Sequence, residues 1–186
     1  MKRLFKLQYN APVTLTFALV SLAALLLGKL TNGWTDTYLF SVWRSSLSDI
    51  LTYPRFFLHV LGHVDYDHYI GNMMMILVVG PGLEEKSGSR NLLSAIVITA
   101  FVSGLVYWFL FPGSMLMGAS GIVFMMIVMA SLAGMRDGGI PITLILVLVL
   151  YLGNEVVDGV VLKDNVSQLT HVIGGVCGAV LGLRKR

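Results

Sequence analysis

The chain has 186 residues, of which 56% are hydrophobic and 12% charged, with a formal net charge of +3 and a mean hydropathy of +0.80. A soluble globular chain carries about 25% charged residues, so a water-soluble domain and a nucleic-acid-binding surface are excluded and an integral membrane protein in a lipid bilayer is expected. The length allows one domain, 1–186, and apolar segments fill nearly all of it.

Six segments read as spanning helices in an all-α polytopic bundle: 11–30, 67–83, 92–111, 120–135, 140–157 and 169–183. Several are shorter than the roughly 20 residues a bilayer demands, so local thinning and access of water to the helix ends are expected. The first segment follows Lys2, Arg3 and Lys6, as a signal peptide would. It is longer than a signal core and lacks a small-x-small cleavage site, so a retained helix is the reading. With six spans, nine of the 13 Lys and Arg residues fall on one side, and the positive-inside rule makes that side the cytoplasm, with both termini inside. A bacterial inner membrane is the expected location.

The first loop, 31–66, is the only long connection, and its Trp34, Tyr38, Phe40, Trp43, Phe56 and Phe57 suit a segment in the headgroup region. Cys177 is the single cysteine and reads as a packing residue. Glu84, near the inner end of the second span, reads either as a solvated helix end or as a tie to Arg90 or Arg136. The methionines Met73, Met74, Met75, Met125 and Met126 read as adaptable packing, and no cofactor is implied.

Polar side chains near the outer ends of these spans carry the functional signal. Ser120 begins the fourth span within Gly118-Ala119-Ser120-Gly121, His171 opens the sixth, and the run His63-x4-His68-x3-Asn72 enters the second. All fall at one membrane depth, and His68 and Asn72, four apart, share a helix face. A serine hydroxyl becomes a nucleophile when an imidazole takes its proton, and the resulting oxyanion needs preorganised donors. Ser120 and His171 supply the first pair; His68, Asn72 and the Ser120 N–H at a helix N-terminus supply the second. No carboxylate lies at that depth unless Glu155 or Asp158 folds inward, so a dyad is preferred to a triad. Gly174, Gly178 and Gly182 trail His171 with period four and let the sixth helix approach a neighbour, as Gly118 and Gly121 do around Ser120. A metal site on His59, His63 and His68 with Asp65 and Asp67 is disfavoured, because no His-Glu-x-x-His occurs and Ser120 and His171 would stand unexplained.

In these motifs the chain resembles the rhomboid intramembrane serine proteases in their minimal six-helix bacterial form. The likeness covers nearly everything after the first helix and includes Arg55 and His59 before the histidine run. It continues through Gly80-Pro81-Gly82-Leu83-Glu84 and Gly88-Ser89 after it. The resemblance implies nucleophile Ser120, base His171, an oxyanion site at His68 and Asn72, and transmembrane protein substrates. Arg55, His59, His63, Gly118, Gly121, Phe124, Gly174 and Gly178 would support that site. Two departures stand out: the family's Trp-Arg pair is Pro54-Arg55 here, and the tyrosine four residues after the serine is Phe124. An inactive relative that only binds transmembrane helices is the competing reading, and an intact Ser120 and His171 argue against it. A small transporter is disfavoured by the lack of a charged relay deep in the bundle.

Overall fold

The structure, a computed structural model, describes residues 8–134, 139, 142, 145, 146, 149 and 165–183. The described residues are mostly helical, as expected. The long helices are α1 (Pro12–Leu30), α4 (Tyr66–Ser87), α5 (Ser89–Leu110), α6 (Ser120–Ala133) and α7 (Asn165–Leu183), with α2 (Trp34–Tyr38) and α3 (Thr52–Leu58) inside the first loop. Two short strands were not foreseen: β1 (Val42–Trp43) pairs antiparallel with β2 (Met115–Leu116) and staples the first loop to the α5–α6 connection. The expected fifth span, 140–157, falls almost wholly outside the described residues, as do Arg136, Glu155 and Asp158.

By length and composition α1 and α5 can cross a bilayer. The 22-residue α4 is as long as α5 but carries Asp67 at one end and Glu84, Glu85 and Lys86 at the other. The core helix is α6: every residue from Gly121 to Met129 is buried. A helix apolar on all sides belongs inside a bundle, and α4, α5 and α7 surround it. Its 14 residues rise about 21 Å, short of a hydrocarbon core about 30 Å thick.

Glu84 fixes the opposite end of the bundle. The residue preceding α1 is Ala11, which has no side chain to cap the helix. The buried Glu84 carboxylate reaches across instead and accepts from Val13 N (2.9 Å), Thr14 N (2.9 Å), Thr14 Oγ1 (2.8 Å) and Ser89 Oγ (2.7 Å). The tie therefore runs to α1 and to the start of α5 rather than through Arg90, because unpaired helix N–H groups attract a carboxylate. Alongside, a Cβ on Gly80 would come within 2.6 Å of Thr14 Cγ2, so α1 and α4 pack in direct contact. Hydrogen bonds to a buried charge contribute about 1.5–3 kcal/mol each, so Glu84→Gln is expected to destabilise the bundle by about 3 kcal/mol. Thermal unfolding in detergent measures this; an unchanged midpoint would show that the carboxylate holds nothing.

The first loop has a core of its own, in which Phe56 and Val42 pack with Tyr107 and Leu116. It also reaches deeper than the headgroup region expected for it. His59 meets the carbonyl of Ala100 at 3.0 Å, which lies halfway along the 22-residue α5. Trp34 and Phe57 remain exposed, as interfacial aromatics would be.

Candidate active site

The turn into α6 is set by Gly118, whose φ of +135° excludes an ordinary side chain. A Cβ there would also lie 2.8 Å from Cε1 and 2.9 Å from Nε2 of His68. The His68 ring thus rests against the backbone two residues before Ser120. The Gly118 N–H donates to the His59 carbonyl at 2.9 Å, which anchors the turn to the first loop. Ser120 is the first residue of α6 and half-buried, so its N–H belongs to the first turn, where backbone donors lack intrahelical partners.

His171 comes to the same place from α7. Its ring is buried and stacks on Phe124 at a centroid distance of 4.4 Å and an interplanar angle of 16°. Phe124 lies four residues after Ser120, one turn along the same face. A Cβ on Gly121 would meet Thr170 Cγ2 at 3.0 Å and its carbonyl at 3.3 Å, so the residue after Ser120 touches the residue before His171. Further along the seam a Cβ on Gly174 would collide with the Gly121 carbonyl, and one on Gly178 would lie 2.6 Å from that of Met125. The period-four glycines therefore bring two helix backbones together, as expected from their spacing. The stack on His171 needs a ring but no hydroxyl, and Phe124 supplies that ring.

On α4, Asp65 caps the helix by accepting from His68 N at 2.8 Å, and the Asn72 amide donates to the His68 carbonyl at 3.0 Å. That bond uses one of the two amide N–H donors of Asn72 and leaves the other for an acceptor outside the helix. The His63 ring stands edge-on to His68 at 5.0 Å and to Tyr69 at 5.6 Å, and Tyr69 donates to the Ala18 carbonyl at 3.1 Å. His63 therefore braces the His68 ring from behind and couples it to α1.

The remaining support lies in the first loop. Arg55 is buried and donates to the Tyr38 carbonyl (2.9 Å), Ser45 Oγ (3.3 Å) and Asp49 Oδ2 (3.0 Å). Its guanidinium lies over the Trp43 ring at 4.8 Å. The aromatic partner of Arg55 thus comes from Trp43 on β1, in a cation–π contact that the flat guanidinium makes well. Sequence reasoning missed Trp43 and Asp49, which carry no local signal. It also passed over Asp65 as a cap, although an Asp just before a helix is a recognisable start.

His59 and His63 are fully buried, and each spends a ring N–H on a backbone carbonyl, Ala100 at 3.0 Å and Leu61 at 3.2 Å. Among the described residues no three His, Cys, Asp or Glu side chains converge on one point. Burial lowers the pKa of each of these two histidines to about 4. A depressed folded pKa stabilises the protein fully above the unfolded value, about 6.5, and that stability is lost as pH falls toward 4. The maximum loss is about 3 kcal/mol per histidine. Unfolding of the detergent-solubilised protein is therefore expected to ease steadily between pH 6.5 and 4, and a flat midpoint across that window would show that the two rings are not buried neutral.

Comparison with known proteins identifies the family of the chain. A profile of the Rhomboid domain matches residues 51–185. The chain is 28% identical over 174 residues to the rhomboid protease GlpG of Serratia proteamaculans, covering 91% of this chain and 61% of that protein. It is 30% identical over 132 residues to the rhomboid protease GlpG of Klebsiella pneumoniae, covering 70% of this chain and 47% of the relative. The chain thus spans about half to three fifths of the length of these relatives. With the domain match running through the histidine run, the Ser120 turn and the glycine seam behind His171, the chain belongs to the rhomboid family, a family of integral membrane proteins.

Proposed function

We propose that this chain is an intramembrane serine protease, hydrolysing a peptide bond in or near the transmembrane segment of membrane-protein substrates through a Ser120–His171 dyad. The observation that carries it is the seating of His171 on Phe124 and of Thr170 on Gly121, which brings the histidine to the end of α6 where Ser120 stands. His171 takes the Ser120 proton as Oγ attacks the scissile carbonyl, and the imidazolium returns it to the leaving amine. Water then opens the acyl-enzyme by the same route in reverse. The oxyanion is held by the Ser120 N–H, His68 and the second amide N–H of Asn72. Because α6 is about 9 Å shorter than the hydrocarbon core, water reaches Ser120 from the outer side.

The same reading takes 1–186 as one six-span domain with both termini in the cytoplasm of a bacterial inner membrane, and no cofactor enters the reaction. Substrates must unwind to expose the scissile backbone, so small or helix-destabilising residues near their outer ends are favoured. Reaction of the solubilised protein with a fluorophosphonate probe, followed by peptide mapping, tests it. Labelling at Ser120 that survives EDTA is expected. An unreactive Ser120 in folded protein would return the chain to the helix-binding reading, and labelling lost in EDTA and restored by zinc would overturn the dyad.

A further inference from the structure

A groove of about 370 Å³ opens between α1 and α5 beneath the first loop. Pro12, Val13, Phe17 and Val20 form one wall, Leu93 and Ile96 the other, and Leu61 closes the top. Thr16 is polar, but its hydroxyl pairs with Tyr9 at 2.8 Å. From Pro12 to Val20 the helix rises about 12 Å, close to half of a hydrocarbon core about 30 Å thick. The groove therefore spans one leaflet, from the first turns of α1 and α5 to the depth of the first loop. Apart from Thr16 the lining is apolar along that whole length, which suits a single hydrocarbon chain.

Charge at the mouth identifies the headgroup. Arg90 is exposed one turn before Leu93 on the same face of α5. Of the nearby carboxylates, Glu84 is committed to α1 and Ser89, and Glu85 is exposed on α4. We propose that the groove holds one acyl chain of an anionic phospholipid of the cytoplasmic leaflet, with its phosphate paired to Arg90. The proposal rests on the orientation given above. Leu61, at the top of the groove, accepts from the His63 ring and follows His59 by two residues, so a bound chain supports the loop that braces His68 from below.

The full chain, stripped of lipid in a neutral detergent, is titrated with phosphatidylglycerol or phosphatidylcholine of identical acyl chains. Native mass spectrometry reads the bound lipid and thermal unfolding its effect. One phosphatidylglycerol per chain is expected, bound about fivefold tighter than phosphatidylcholine, as one basic residue near a headgroup provides. Arg90→Gln should bring the two lipids level, and Val20→Trp, at a position 43% exposed, should abolish the binding of both. Leu93→Trp fills the groove from the other wall if Val20→Trp does not fold. Equal binding of the two lipids, binding undiminished in a folded groove-filling variant, or a dimer dissolved by that variant would overturn the proposal. Lipid binding is read without cleavage, so an inactive Ser120 leaves this test standing.

Discussion

Ser120→Ala and His171→Ala are each expected to abolish cleavage of a reconstituted transmembrane substrate, and the double variant to be no worse than either single one. Groups that act as one unit fail together, and losing either member of such a pair costs roughly 10⁴- to 10⁶-fold in turnover. Ser120 is half-buried and its loss leaves no large cavity, so the variant should fold as the parent does. His171 is less simple, because its ring is stacked on Phe124 at 4.4 Å and truncation empties that space. His171→Phe separates packing from chemistry: it keeps an aromatic ring against Phe124 and removes both nitrogens. It should match the parent in thermal stability and His171→Ala in activity. Cleavage by Ser120→Ala, or an active His171→Phe, would remove the dyad.

The candidate site was legible in the sequence wherever its residues are neighbours along the chain. His63, His68 and Asn72 fall on one stretch entering α4, Ser120 is bracketed by glycines, and Gly174 and Gly178 follow His171 at helical spacing. A period and a turn are local properties, so the helices α1, α4, α5, α6 and α7 were found with ends displaced by at most a few residues. What escaped depends on distant parts of the chain meeting. Arg55 lies over Trp43, 12 positions earlier, and Glu84 caps a helix that begins 72 positions before it. Nothing near Glu84 in sequence shows that Ala11 leaves α1 uncapped. The depth of the first loop was misjudged for the same reason: its aromatic composition suits an interface, whereas the pairing of His59 with Ala100 draws part of it to the middle of α5.

The sharpest test of the glycine seam compares two neighbouring positions on α7. A Cβ on Gly178 would lie 2.6 Å from the Met125 carbonyl and 3.0 Å from Val128 Cβ, whereas one on Gly175 meets nothing within 4 Å. Gly178→Val must therefore push α7 away from the buried α6, a forced expansion that costs about 3 kcal/mol. Gly175→Val, whose added Cβ enters open space, is expected to stay within about 0.5 kcal/mol of the parent. The consequence for activity follows from the lever that the seam makes. Gly174 rests on the Gly121 carbonyl, one residue past Ser120 and about one turn from His171, so a shift at Gly178 is passed to the proposed dyad. A misplacement of about 1 Å between reacting groups can cost 100-fold in rate, so fluorophosphonate labelling of Ser120 should slow by about that factor in Gly178→Val and be unchanged in Gly175→Val. Equal stability and equal labelling in the two variants would mean that the α6–α7 contact is not what holds His171 in place.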